Sequence, residues 1–220
     1  MSISFDDVRK NPEIKTYIQQ ADASLLALGY TEHSFAHVTH CALQASEVLQ
    51  KLGYSEHEQE LVKIAAYLHD IGNMVNRYSH ALSGSLIAFQ LLSKMGMPPE
   101  DLAAVTTAIG HHDEPTAFPV NAITAALLLA DKTDVRRSRV RNQATITFDI
   151  HDRVNFAVEE ADFDLDTETQ RMTLLLTINT EVCPVVEYFE IFLDRMLLCR
   201  KAADFFGYTF KLVINGSELM

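Results

Sequence analysis

The sequence has 220 residues, of which 48% are hydrophobic and 22% are charged. This composition is typical of a globular protein with one large domain, or with one domain and a small appendage. The formal net charge is −12, so the overall field repels nucleic acid and anionic membrane, and we expect neither as a partner. A phosphate-bearing ligand would need local positive charge from a metal ion or from clustered arginines.

The cysteines and the hydrophobic runs bear on localisation. Cys41, Cys183 and Cys199 are widely spaced and form no CxxC pair, as is typical of a reducing compartment. The first ten residues carry acids and no apolar core, unlike a signal peptide. The most apolar run, over residues 122–130, is too short to span a bilayer. We therefore expect a soluble cytoplasmic protein.

Apolar residues spaced three and four apart predict helices in the first two thirds of the chain. Helices are expected over roughly residues 12–28, 34–52, 55–70, 80–95, 98–109 and 120–135. Ser55 and Glu58 form a capping box at the start of the third of these helices. The sixth is almost wholly apolar up to Asp131, which predicts a central, buried helix.

The pattern changes near residue 142, after which apolar residues alternate with polar ones. Strands are expected over roughly residues 146–150, 156–165, 172–178 and 210–214, with an amphipathic helix over 185–203. The predicted fold is therefore mainly α: a helical bundle over residues 1–142, followed over 143–220 by a small α+β module with an antiparallel sheet and one helix.

Histidines and carboxylates mark a candidate metal site. His37 lies on the second predicted helix, and His69 and Asp70 end the third, where the helix dipole favours a cation. Asp131 lies in an apolar helix, and a buried carboxylate needs a cation, a proton or hydrogen bonds. A lone histidine is more often structural, but this combination favours a metal site. Imidazole and carboxylate ligands suit Fe, Mn, Zn, Co or Ni better than Mg or Ca.

Three segments carry a family resemblance. HVTHCAL from His37, AAYLHDIGN from Ala65 and LLADKTD from Leu128 resemble the HD superfamily of metal-dependent phosphohydrolases, over about residues 30–140. The resemblance implies an HD-type helical bundle. It also implies a core set of metal ligands: His37, His69, Asp70 and Asp131.

Further histidines resemble the ligands of HD branches that bind more than one ion. His80 resembles an extra ligand after the HD doublet, and His111 and His112 resemble the histidine pair of the HD-GYP phosphodiesterases. The diadenosine-tetraphosphate-cleaving HD proteins are a second similar branch. The Gly-Tyr-Pro signature is replaced by residues 113–117, DEPTA, which favours other nucleotide phosphates over cyclic dinucleotides. The resemblance leaves open whether His33 and His40 are ligands.

The implied activity is cleavage of a phosphate ester or anhydride of a nucleotide, or of another small phosphorylated metabolite, by a metal-activated water. Two ions would both contact Asp70, which is therefore a catalytic candidate. Lys132 could bind phosphate or donate a proton, or could be a solvated helix lysine. Arg136 and Arg137 could bind the substrate, since arginine suits phosphate, or could pair with acids of the C-terminal module.

A non-catalytic alternative also fits the sequence: an HD module that binds metal and nucleotide and signals through the C-terminal module. A zinc peptidase is disfavoured, because the segment His33–His37 has the histidine spacing of HExxH but has Ser34 in place of the glutamate. We expect a homodimer, because closed homodimers are the commonest oligomers.

Overall fold

A computed structural model describes residues 3–141 and 150–220. Contacts divide the chain into two compact units, Met1–Asp131 and Lys132–Met220. The predicted fold class is confirmed, since the described residues are mainly helical and end in a small sheet with one helix. The predicted domain boundary, at residues 142 and 143, lies outside the described residues.

The helices up to residue 133 follow the predicted order. They are α1 (Phe5–Lys10), α2 (Pro12–Ala27), α3 (Phe35–Lys51), α4 (Glu56–Leu68), α5 (His80–Met95), α6 (Pro99–Gly110) and α7 (Ala122–Thr133), with a 3-10 turn at Ile71–Met74. Both halves of the predicted capping box form, because Ser55 and Glu58 each accept a backbone N–H bond from the other residue. Helix α1, which the sequence did not predict, begins with a second such box.

Helix α7 lies in the core of the first unit. Residues 125–130 have no exposed surface, as the apolar run predicted. In the same unit, α3 packs on α4, and α5 packs on α6. The helix therefore holds Asp131, at the end of this run, away from bulk solvent.

Two glycines allow a close backbone approach beside the HD doublet. A Cβ atom at Gly72 would lie 2.0 Å from the carbonyl oxygen of His80 and 2.5 Å from the backbone nitrogen of Gly84. Neither contact could be relieved by moving a side chain, so only glycine fits there. The 3-10 turn therefore packs directly on the first turns of α5, which brings His80 close to Asp70.

The second unit contains α8 (Ile150–Ala157), β1 (Val158–Asp166), β2 (Arg171–Ile178), α9 (Val185–Phe205), β3 (Thr209–Ile214) and β4 (Ser217–Glu218). The strands lie in the order β1-β2-β3-β4. The buried faces of β2 and β3 carry the predicted apolar residues, such as Leu174 and Leu212.

Two details of the C-terminal prediction are wrong. The sheet is mixed, because β2 and β3 pair in parallel. Helix α9 connects them as a crossover, which parallel neighbours require. Phe156 belongs to α8 rather than to a strand, since the helix continues to Ala157 before β1 begins. The predicted strand over 146–150 falls mainly on residues outside those described.

Within the described part of the chain, no helix is both long enough and apolar enough to cross a membrane.

Candidate metal centre

Four buried side chains meet inside the first unit. His37 comes from α3, Asp131 comes from α7, and His69 and Asp70 follow the last turn of α4. Nε2 of His37 lies 3.6 Å from Oδ2 of Asp70 and 3.5 Å from Oδ1 of Asp131. The helical spacing of the sequence thus brings together ligands that are more than 90 residues apart in the chain.

His69 lies between the two carboxylates. Its Nε2 is 3.1 Å from Oδ2 of Asp70 and 3.7 Å from Oδ1 of Asp131. The atom is buried, yet it forms no hydrogen bond of acceptable geometry. A buried polar atom without such a bond is costly. The nitrogen is therefore placed as a metal ligand would be, with two carboxylate oxygens beside it.

A second group lies on the other side of Asp70. Nε2 of His80, from the start of α5, is 3.5 Å from Oδ1 of Asp70. Nε2 of His112, just beyond α6, is 3.9 Å from the same oxygen. The potential ligand atoms of these three residues all lie within 4.8 Å of one another. Asp70 thus presents Oδ2 to His37 and His69, and Oδ1 to this group.

The ring nitrogens of the second group face each other at short range. Nδ1–H of His112 donates to the carbonyl oxygen of Ile109 at 2.6 Å, and Nδ1–H of His80 donates to that of Arg77 at 3.1 Å. A carbonyl can only accept, so each neutral ring keeps its lone pair on Nε2. The two Nε2 atoms are 3.0 Å apart. A cation held between these two nitrogens and the carboxylate oxygen, either a proton or a metal ion, would relieve the repulsion between the two lone pairs.

Carbonyl oxygens orient these rings, as is usual for metal-binding histidines. Nδ1–H of His69 likewise donates to the carbonyl oxygen of Ala66 at 2.7 Å. This bond leaves Nε2 of His69 directed at Asp70 and Asp131. The neutral tautomers set by these backbone contacts are the ones that bind a metal ion, so the donor set fits a divalent transition metal.

Asn73 holds Asp70 in place, and the sequence analysis did not identify it. Its side-chain amide donates to both the backbone oxygen and Oδ1 of Asp70, each at 2.9 Å. Asn73 is buried in the 3-10 turn three residues after Asp70. That spacing was the available signal, since residues three apart meet in a 3-10 turn.

The electrostatics of the cluster also indicate a need for positive charge. Burial lowers the pKa of His69, but the negative charges of Asp70 and Asp131 outweigh burial and raise it to about 10. Burial likewise opposes ionisation of Asp70, but His69 and His33 hold the pKa of its carboxyl well below its usual value. Without a metal, a proton on His69 therefore partly neutralises the carboxylates.

Three other candidate histidines, His33, His40 and His111, lie outside the groups described above. His111 lines a cavity of about 400 Å³ with Leu86, Phe89 and other residues of α5 and α6. The ring of His33 packs edge-on against that of His37, with centroids 5.4 Å apart, and His40 is half-buried on α3. Metal binding by His111 stays a prediction, and the roles of His33 and His40 stay open.

The predicted substrate residues Lys132, Arg136 and Arg137 belong to the second unit. Lys132 is buried near the end of α7. Arg136 donates to both carboxylate oxygens of Asp134, at 2.5 and 3.0 Å. The guanidinium of Arg137 lies 3.8 Å from the ring centroid of Phe156. The two arginines line a cavity of about 520 Å³ within this unit, and substrate binding by the three residues stays a prediction.

The segment that carries these residues matches the model of a known protein family. The family model described as "HD domain" matches residues 32–140. The chain carries an HD domain. The matched segment includes every residue of the cluster, from His37 to Asp131. HD domains bind divalent metals and are mostly metal-dependent phosphohydrolases, and the buried histidines and carboxylates of this HD domain fit such a site.

The chain also has limited sequence similarity to a protein from an archaeon. The uncharacterized protein MJ1020 of Methanocaldococcus jannaschii is 25% identical over 158 residues, which cover 62% of this chain. The match spans 61% of the length of MJ1020, which is less than two thirds. No solved structure matches the chain significantly.

Proposed function

We propose that this HD domain is a phosphohydrolase that holds two divalent metal ions and cleaves a phosphate ester or anhydride of a nucleotide, or of another small phosphorylated metabolite. The observation that supports it best is the position of Asp70. Its two oxygens face two different groups of histidines, His37 and His69 on one side and His80 and His112 on the other. One carboxylate can therefore serve two ions.

Ions held there would act as Lewis acids, lower the pKa of a water and neutralise charge on the phosphate. The chain supplies the geometry for this chemistry. Asn73 fixes Asp70 through two hydrogen bonds, and backbone carbonyls fix the tautomers of His69 and His112. Imidazole and carboxylate donors favour Fe, Mn, Zn, Co or Ni.

In this proposal the ligands are the residues that the structure brings together: His37, His69, Asp70, His80, His112 and Asp131. Asp70 would also act in catalysis, since its two oxygens face both groups of ligands. The proposal includes a contribution of Lys132, Arg136 and Arg137 to substrate binding and of Lys132 to catalysis; the two arginines line a cavity of about 520 Å³. A homodimer is likewise a prediction, which light scattering on the purified chain tests.

The test combines metal content with turnover. Wild type is loaded with Mn²⁺, Fe²⁺, Co²⁺, Ni²⁺ or Zn²⁺ and assayed on phosphomonoesters, phosphodiesters and nucleoside polyphosphates. We expect two ions per chain and hydrolysis of at least one of these classes. Asp70→Asn should lose both metal and activity by more than about 100-fold, because loss of a contact to a ligand alone costs about 10–100-fold. Asp164→Asn, on an exposed position of β1, is the matched control.

Three outcomes would count against the proposal. Metal binding without turnover of any phosphate ester or anhydride would favour the non-catalytic module that signals through the C-terminal unit. If Asp70→Asn kept its metal and its activity, Asp70 would not be the ligand on which the proposal depends. One ion per chain in a fully active protein would overturn the two-ion part alone.

A further inference from the structure

The guanidinium of Arg77 lies at the edge of the second ligand group. Arg77 is half-buried in the loop between the 3-10 turn and α5. Its Nη1 lies 3.1 Å from Nε2 of His80 and 3.3 Å from Nδ1 of the same ring. Tyr30, which is 45% exposed, places its ring 5.5 Å from the guanidinium carbon. A cation thus stands directly beside the candidate metal centre, supported by an aromatic face.

Arg77 also differs from the other basic residues of the first unit. Almost all of the others are paired with a carboxylate: Arg9 and Lys10 with Asp6, Lys51 with Glu47, Lys63 with Glu60 and Lys94 with Glu13. Among residues 3–131, Arg77 has no carboxylate within 4 Å of its guanidinium. Lys15 shares this property but lies on α2, outside the ligand groups. An unpaired arginine beside a site for phosphate chemistry offers a fork that suits two phosphate oxygens.

The contact with His80 shows what a metal ion would change. Nδ1 of His80 donates to the backbone oxygen of Arg77, so Nε2 carries the lone pair and accepts from the guanidinium. A metal ion bound to His80 would take that same lone pair. The guanidinium must then give up its contact, and two neighbouring cations repel each other unless an anion lies between them. A phosphate group bound to both cations satisfies this requirement.

We propose, on the basis of the metal-dependent function above, that Arg77 binds the phosphate of the substrate and that a metal ion on His80 releases its guanidinium for this purpose. An acidic chain needs local positive charge near its metal centre to bind phosphate. Arg77, a residue of the HD domain itself, supplies that charge. Tyr30 acts as a positioning residue for the guanidinium.

The test uses the full chain loaded with Mn²⁺ and inorganic phosphate as the probe, with calorimetry as the readout. Arg77→Gln should weaken phosphate binding by about 10–100-fold, because one charge-assisted contact is lost. Arg77→Lys keeps the positive charge but lacks the forked guanidinium, so its phosphate affinity should lie between those of Arg77→Gln and wild type. Arg9→Gln is the matched control, since Arg9 also lies near an aromatic ring, that of Phe5, and should bind phosphate as wild type does.

Manganese affinity separates this role from a structural one. If Arg77 competes with the ion for His80, Arg77→Gln should bind Mn²⁺ as tightly as wild type or more tightly. If Arg77 only supported His80, the same variant would bind fewer ions. Unchanged phosphate affinity in Arg77→Gln, or a lower manganese count, would overturn the proposal.

The two proposals fail in different ways. A wild type that binds Mn²⁺ and phosphate, loses phosphate affinity on Arg77→Gln and hydrolyses no phosphate ester would overturn the proposed activity and support the role of Arg77 in phosphate binding. A wild type that hydrolyses phosphate esters, with phosphate binding unaffected by Arg77→Gln, would overturn the role of Arg77 alone.

Discussion

The two units bury carboxylates in opposite ways. In the second unit, the buried Asp134 receives two hydrogen bonds from Arg136, and Nη1 of Arg139 donates to its backbone oxygen at 2.7 Å. In the first unit, the buried Asp70 and Asp131 face imidazole nitrogens. The second unit thus supplies the cations for its own carboxylate. The first supplies ligand atoms, which fit a cation from outside the chain.

This difference assigns different origins to the stability of the two units. When a buried carboxylate is paired with an arginine, its negative charge is neutralised by the chain itself, without a bound metal ion. A cluster of carboxylates and imidazoles is compensated only by protons or metal ions, and its stability therefore depends on pH and on free metal. We expect this dependence to be confined to the first unit.

Removal of the metal is expected to have the largest effect. At a free concentration 100 times the Kd, each bound ion contributes about 2.7 kcal/mol to stability. Chelation should abolish turnover and lower the Tm. Hydrogen exchange, measured by mass spectrometry, should rise in peptides from α3, α5 and α6 and stay unchanged in peptides from β1 to β3. Equal increases in hydrogen exchange in both units would show that the stability of the second unit also depends on metal.

The metal-free protein should lose stability as the pH rises. The pKa of His69 in the folded chain is about 10, above the ordinary histidine value of 6.5. Because protonated His69 stabilises the fold, its contribution is complete below pH 6.5 and disappears as the pH rises towards 10. The stability difference between metal-free wild type and metal-free His69→Gln, measured by urea unfolding, should therefore shrink over this range. A difference that stays constant or grows would contradict the assignment.

Metal loading should change this pH dependence. An ion bound to Nε2 of His69 replaces the proton, so the loaded protein should keep its stability between pH 7 and pH 9. The same urea series on the loaded wild type measures this. If the loaded and metal-free proteins respond equally to pH, His69 does not bind the ion.

Gly72→Ala tests the close approach that places His80. The added Cβ would meet the carbonyl oxygen of His80 and the backbone of Gly84, so the start of α5 must shift. We expect a loss of about 1–3 kcal/mol, as for other overpacked positions, together with the loss of one of two ions. Unfolding and metal analysis measure both.

Gly110→Ala is the control for this substitution. Its Cβ would meet only side-chain atoms of Ser85, at 3.8 Å, and alanine suits the end of α6. It should therefore match or exceed the stability of wild type and keep its metal content. If Gly72→Ala kept the stability and metal content of this control, the close packing of the 3-10 turn on α5 would not be what positions His80.

The sequence predicted most of the first unit because its signals are local. Glycines and capping residues mark the helix ends, and apolar spacing marks the buried faces. His112 lies in the second ligand group and His111 lines a cavity beside α5 and α6, a difference that the sequence did not reveal because both residues follow the end of the helix. Arg77 lies in the loop before α5, where periodicity gives no signal.

In the second unit the decisive contacts are not local. Strands β2 and β3 have the same alternation whether they pair in parallel or antiparallel, so the sequence could not give their relative direction. Their parallel pairing depends on α9, which returns the chain across the sheet. The sequence left open whether Arg136 binds substrate or pairs with an acid, and its bonds to Asp134 become visible only in the structure.

The smallest effect is expected from Arg153→Gln in the second unit. Arg153 contacts Glu187 through Nε at 2.8 Å and through Nη2 at 2.7 Å, and both side chains are partly exposed. Such a pair contributes about 0.5–1 kcal/mol, which urea unfolding can measure. Metal content and turnover should stay at the wild-type level, because the pair supplies its own charges. If Arg153→Gln lowered the metal content, the metal centre would depend on the second unit, and the division between a metal-dependent and a self-compensated unit would no longer hold.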